Sequence, residues 1–304
     1  MTAARALYGG VELGGTKCVC ILGSGPDDVR EQASVATGRD PEVALRGIET
    51  ILDGWRAAHG PMEAVGIASF GPIDLARDSP NYGVIGATAK PGWRGTAIAG
   101  RFARSCGVPV GCDTDVNAAA LAEGRWGAAR GLADFAYVTV GTGVGVGLVV
   151  NGRPVRGFAH AECGHIRIAR APGDAWSGSC AFHGDCVEGL ASGPAIAART
   201  GRPPDQLRGD DPVWEYVADA LAQLLHTLML TTAPRRILIG GGVATARAGL
   251  LPMIRHRVAQ SLGRYLDLGA LIGSIDDYVS PPGLGERAGP FGALALAADA
   301  VAGN

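Results

Sequence analysis

Residues 162–189 read ECGHIRIARAPGDAWSGSCAFHGDCVEG, which places three cysteines, two histidines and two glutamates in 28 positions of a chain otherwise rich in Ala, Gly and Val. Cys180-x-x-His183-x-x-Cys186 has the short spacing of a metal loop, and the intervening Gly and Asp permit tight turns. One further ligand upstream would close a tetrahedral zinc site. His165 is the best candidate because a neutral imidazole suits zinc, and Cys163 and His160 are its rivals. A His-Cys-His-Cys set leaves no open coordination position, which points to structural rather than hydrolytic zinc. The alternative is a group of unrelated buried side chains, which this density of ligand types disfavours. Glu162 lies three residues before His165 and Glu188 two after Cys186. They are either solvent-facing loop acids or carboxylates held where they can accept hydrogen bonds from adjacent hydroxyls of a polyol.

Three glycine-rich turns offer a second chemistry, since backbone N–H groups without a Cβ nearby can approach an anion. GGVELGGTK (9–17) misses the Walker pattern: Thr16-Lys17 stands where Lys-Ser/Thr is needed, and the turn enters a strand instead of a helix. It reads as a hairpin whose Gly14, Gly15, Thr16 and Lys17 can meet phosphate. Gly141, Thr142 and Gly143 sit in an equivalent turn, and Gly240, Gly241 and Gly242 follow a strand and precede a helix. Ordinary glycine turns are the competing reading of each. The third candidate is CDTDVNAA (112–119). Asp113 reads as a helix cap, whereas Asp115, at a strand-to-helix junction, can accept a hydroxyl proton during phosphoryl transfer.

These residues need a scaffold. The pattern predicts a hairpin over 7–22, a helix over 42–57, a strand over 64–69, a helix near 95–106, a strand over 108–112 and an Ala-rich helix over 113–126. A second hairpin follows at 135–152. Then come a helix over 212–232, a strand over 235–244, a helix over 248–266 and a terminal helix over 290–301. Strands alternate with helices, so the class is α/β. Two similar hairpins about 125 residues apart indicate a duplicated architecture. One lobe is expected over 1–115, with the terminal helix 290–304 returning to it, and a larger lobe carrying the zinc loop over 116–289.

Composition sets the bounds. With 304 residues, 47% of them hydrophobic and 18% charged, the chain supports a sizeable core. A net charge of −2 without a basic block disfavours nucleic acid. No run of about 20 residues lacks polar interruption, so no membrane partner is expected. The N-terminus lacks a signal-peptide pattern, which points to the cytoplasm. Cys18, Cys20, Cys106 and Cys112 sit in apolar runs and read as reduced core residues. Forty-eight glycines is about twice the usual share.

The chain resembles ROK-family sugar kinases, and within them the bacterial fructokinase branch. The stretches that carry the resemblance are GGVELGGTK, ASFGPIDL, SPNYGVIGATAKPGW, DTDVNAAALAE, VGTGVGVGLVVNG, HAECGHI, CAFHGDCVEGLASGPAI, ILIGGGV and PPGLGERAGPFGA, in the family's order along nearly the whole chain. The resemblance implies an actin-like, ribonuclease-H-like ATPase fold of two lobes with a cleft between them. It implies ATP-dependent, Mg²⁺-assisted phosphorylation of a hexose, with Asp115 as the catalytic base. It further implies phosphate loops around Gly14–Lys17 and Gly141–Gly145, sugar contacts from Gly71 of FGPID, Glu162, His165 and Glu188, and structural Zn²⁺ on His165, Cys180, His183 and Cys186. Thr114-Asp115 stands where glucokinases of the family commonly have Asn-Asp, and a Cys-His-Cys loop where they have three cysteines. Both departures favour a fructokinase over a glucokinase, with D-fructose as the expected substrate and a kinase for glucose, mannose or N-acetylmannosamine as the alternative. Cys163 occupies a position that is often Met in that branch and reads as packing. The family also includes repressors with an N-terminal helix-turn-helix, for which a first strand starting near Leu7 leaves no room. The family suggests a homodimer.

Overall fold

The computed structural model describes residues 6–263, 265–266, 269 and 272–303. Residues 1–5, residue 264 of the expected helix 248–266, and residue 304 of the expected terminal segment lie outside them. The chain divides into two compact units. One gathers residues up to 130 with 155–160 and 286 onward, and the other gathers 131–154 with 161–285.

The first unit is built on a sheet of β1 (Tyr8–Leu13), β2 (Lys17–Gly25), β3 (Asp28–Ala36), β4 (Ala64–Ser69) and β5 (Val110–Thr114), in the order β3-β2-β1-β4-β5. β1 to β3 form an antiparallel meander, and β4 and β5 run parallel to β1. Strands β1 and β4 are buried almost throughout, as expected of strands covered on both faces. Helix α1 (Pro41–His59) starts where Asp40 caps the Glu42 N–H and Pro41 pre-sets the first turn, and it buries Leu45, Ile48 and Leu52. α2 (Ile98–Cys106) and α3 (Asp115–Trp126) complete the unit with a C-terminal helix, Ala288–Ala302.

That last helix lies directly on the sheet, for a reason written in the sequence. Gly10, Gly66 and Gly111 are register partners across β1, β4 and β5 and form a stripe without side chains. A Cβ at Gly66 would stand 1.8 Å from the Ala293 carbonyl oxygen, and one at Gly111 would stand 2.2 Å from that of Leu296. The helix answers with its own small residues, AGPFGALALAADAVA, so backbone meets backbone at a separation no larger residue permits.

The second unit repeats the plan. β6 (Phe135–Val140), β7 (Val144–Val150), β8 (Arg153–Pro154), β9 (Ile237–Gly240) and β10 (Val279–Ser280) stand in the order β10-β9-β6-β7-β8, with the same two antiparallel and two parallel pairings. Its helices among the described residues include α4 (Val187–Ala191), α5 (Gly193–Thr200), α6 (Val213–Thr232), α7 (Gly242–Ala246), α8 (Leu250–Leu262) and a short one at Ile275–Tyr278. The α/β class and the duplicated hairpins therefore hold. The expected strand 235–244 is shorter, because Gly241 turns the chain at φ 90° and Gly242 opens α7. A Cβ at Gly241 would stand 2.5 Å from the Val140 carbonyl oxygen. Among the described residues no helix is long and apolar enough to cross a membrane.

Candidate functional site

In the first unit, the turn between β1 and β2 is closed by the Gly14 N–H donating to the Lys17 carbonyl at 3.1 Å. Thr37 secures it from the side, its hydroxyl donating to the Gly14 carbonyl at 2.7 Å and its N–H to the Thr16 carbonyl at 3.0 Å. Thr16 and Lys17 remain exposed. Gly71 sits in the loop after β4, where the Gly71–Pro72 peptide is cis.

The two aspartates of CDTDVNAA part company. Asp113 lies one residue before the end of β5 and is wholly buried. Its Oδ1 accepts from the Thr114 N–H at 2.7 Å and from Asn117 Nδ2 at 2.8 Å, and its Oδ2 is paired with Arg156. The cap of α3 is Thr114, whose hydroxyl accepts from the Asn117 N–H, so the cap expected at Asp113 lies one residue later. Asp113 is instead a buried charge whose oxygens are both engaged, which is the condition under which such a charge is tolerated. Asp115 is only half-buried at the first residue of α3, and its Oδ1 accepts from the Val116 N–H at 2.9 Å. Arg156 and His160, whose Nε2 accepts from the Ile73 N–H at 3.2 Å, pin residues 155–160 into this unit. His160 thereby leaves the set of candidate zinc ligands.

Sequence reasoning passed over Glu12. It sits on β1 within the quoted glycine motif, and a Cβ at Gly289 would stand 2.1 Å from its Oε1. Burial above all, then the Asp115 charge, pushes the Glu12 carboxyl from 4.5 up to about 7, against the opposing pull of Lys17. A lone acid in an apolar strand was the available signal. Between pH 4.5 and about 7 the folded chain holds the Glu12 proton more tightly than the unfolded chain. The stability this group contributes is thus present below 4.5 and lost as pH rises through about 7. Glu12→Gln is expected to match the parent in urea unfolding near pH 4 and to exceed it at pH 8, by up to about 3 kcal/mol. Equal stability of the two at pH 8 would remove the burial argument.

In the second unit, the turn between β6 and β7 is closed by the Gly141 N–H donating to the Gly143 carbonyl at 2.9 Å. Gly141 and Thr142 line a cavity of about 420 Å³ with Gly193, Pro194, Pro204, Asp205, Gly242, Val243 and Ala246. An apolar cleft of this volume with glycine backbone at one side suits a nucleoside and its phosphates. Sequence reasoning identified Gly141, Thr142 and Gly242 but not the apolar wall, because Pro194, Pro204 and Val243 carry no chemical signature.

The metal candidates converge in the same unit. One ligand atom from each of His165, Cys180, His183 and Cys186 lies within 4.8 Å of the others. Cys180 Sγ stands 3.7 Å from both His165 Nδ1 and His183 Nδ1, and Cys186 Sγ stands 3.5 Å from His165 Nδ1. Zinc–sulfur and zinc–nitrogen bonds at a tetrahedral angle place S and N about 3.6 Å apart, so the donor set fits zinc in spacing as well as in kind. Cys163 is not part of the group. The loop is shaped by paired backbone bonds, the Cys180 N–H to the Gly184 carbonyl at 3.0 Å and the reverse at 2.9 Å. Cys186 also caps α4, its Sγ accepting from the Gly189 N–H. Burial pushes the Cys186 thiol up to about 11, so a bound cation must displace a proton there. Glu188 stands beside this group, with Oε1 3.8 Å from His165 Nε2, while Glu162 is exposed just before it.

A family profile described as "ROK family" matches residues 8–300. The chain is 39% identical over 295 residues to a fructokinase of Pediococcus pentosaceus, covering 97% of this chain and 99% of the relative. It is 38% identical over 296 residues to a fructokinase of Zymomonas mobilis, covering 96% and 97%. A crystal structure of a ROK family glucokinase from Streptomyces griseus in complex with glucose and AMPPNP superposes with a TM-score of 0.73 at 27% identity, covering 97% of this chain and 100% of that one.

Proposed function

The chain belongs to the ROK family, and from that membership we propose that it is a fructokinase, transferring the γ-phosphoryl group of ATP to the 6-hydroxyl of D-fructose. The observation that carries this reading is the 38–39% identity to fructokinases along nearly the whole length of both chains. The cavity at the β6–β7 turn supports the nucleotide half of the reaction.

In this reading Asp115 orients the sugar hydroxyl and takes its proton as the phosphoryl group leaves ATP. A half-buried carboxylate with one oxygen fixed by the Val116 N–H is suited to that task, because a held base loses little freedom on reaching the transition state. N–H groups of the Gly14–Lys17 and Gly141–Gly143 turns, with Thr16, Lys17 and Thr142, meet the charge of the phosphates. Gly240 to Gly242 border the nucleotide. Mg²⁺ bound with ATP neutralises the phosphate oxygens. Glu162, His165 and Glu188 contact sugar hydroxyls, Gly71 is a further sugar contact, and structural zinc on His165, Cys180, His183 and Cys186 holds the loop that presents the first three. The reading extends to a cytoplasmic homodimer.

A panel of sugars with ATP and Mg²⁺, followed by coupled detection of ADP, tests the assignment. Fructose is expected to exceed glucose, mannose and N-acetylmannosamine in kcat/KM by about tenfold or more. A preference for any of the others would reassign the substrate, and no ADP with any hexose would remove the kinase reading.

A further inference from the structure

Glu188 has a second attachment that a sugar-contacting role does not require. Its Oε2 accepts a hydrogen bond from the Val144 N–H at 3.0 Å, at the end of the β6–β7 turn. The fit is close: a Cβ at Gly143 would stand 2.6 Å from the same oxygen. Its other oxygen, Oε1, lies toward His165 Nε2, the ring nitrogen opposite the Nδ1 that faces the two cysteine sulfurs. A histidine whose Nδ1 holds a metal presents Nε2 as N–H, and a carboxylate in that position orients the ring. One side chain therefore ties the metal loop to the turn at the mouth of the nucleotide cavity. A second tie runs in parallel, the Gly193 N–H donating to the Gly141 carbonyl at 2.7 Å from the segment that begins at Cys186.

We propose that Glu188 is a positioning residue for the nucleotide, holding the Gly141–Val144 turn in its phosphate-binding shape through the Val144 N–H while it braces His165. The proposal rests on the nucleotide reading above. It separates from a sugar role in one respect: a sugar contact leaves the affinity for nucleotide without sugar unchanged, whereas a support for the turn does not.

The test is calorimetric titration of ADP into sugar-free protein. Glu188→Ala is expected to weaken ADP binding about tenfold, because it removes a charged acceptor from a buried N–H. Glu188→Gln keeps an oxygen for Val144 and is expected to stay within about threefold of the parent. Gly143→Ala supplies an independent arm. Its Cβ displaces the Glu188 carboxylate, so it is expected to weaken ADP about tenfold in the parent and little in the Glu188→Ala background. Far-UV circular dichroism and zinc content establish that each variant is folded. Unchanged ADP affinity in Glu188→Ala, or an equal effect of Gly143→Ala in both backgrounds, overturns the proposal while the kinase reading stands. A parent chain that binds no ADP overturns the nucleotide reading itself.

Discussion

Asp115→Ala is expected to lower kcat by about two to four orders of magnitude, the range that a positioned general base contributes, while the dissociation constant for fructose changes only a few-fold. In free energy the loss is about 3–5 kcal/mol at the transition state. The expectation singles out Asp115 over its neighbour on structural grounds. Asp113 is fully buried with Oδ1 bonded to Thr114 and Asn117 and Oδ2 paired with Arg156, so removing it strands a guanidinium and an amide. Asp113→Asn accordingly acts through folding and lowers the melting temperature. Asp115→Asn keeps the acceptor for the Val116 N–H and nearly the same volume, so the α3 terminus stays intact and the defect falls on proton transfer. Steady-state kinetics with ATP and fructose, beside calorimetric binding of fructose alone, read the two quantities separately. Turnover near the parental value in Asp115→Asn would remove this carboxylate from the reaction.

The sequence disclosed the parts of this molecule that repeat or that carry a charge at a fixed offset. The two hairpins were visible because apolar β-rich runs flank a glycine turn on both occasions, and the same β1–β2 and β6–β7 pairings result. The cluster of His165, Cys180, His183 and Cys186 was visible because ligand types crowd one loop. What stayed hidden depends on contacts distant in sequence. β3 alternates exposed and partly buried residues and lacks the apolar signal of an inner strand, since it is held mainly by its pairing to β2. The stripe of Gly10, Gly66 and Gly111 became meaningful only when register aligned three strands beneath a helix that follows about 180 residues after Gly111. Glu12 was quoted as part of a glycine motif, yet its shifted acidity arises from burial and from Asp115, a residue about 100 positions away in the chain. Glu188 was recognised as an acid near a ligand. Its bond to Val144 depends on how α4 meets the β6–β7 turn, which no local pattern encodes.

Zinc removal is the second large effect expected. Elemental analysis of the purified protein should find about one zinc per chain, and prolonged chelation should lower the melting temperature by roughly 5–10 °C, since the free energy of metal binding is part of that of folding. The size follows from what the four ligands join. His165 closes a 3-10 turn, Cys180 and His183 flank a tight loop, and Cys186 begins α4. Without a cation to hold them, these segments depend on the backbone bonds alone. Cys186→Ser separates the metal from the local geometry. Serine serves well as a helix N-cap, so the Gly189 N–H keeps an acceptor, yet a hydroxyl cannot replace a thiolate on zinc. The variant should therefore lose zinc and the same increment of melting temperature as the chelated parent, and chelation should then have no further effect on it. If a metal-free preparation melts and turns over like the untreated protein, the four side chains are packed together for reasons other than a cation.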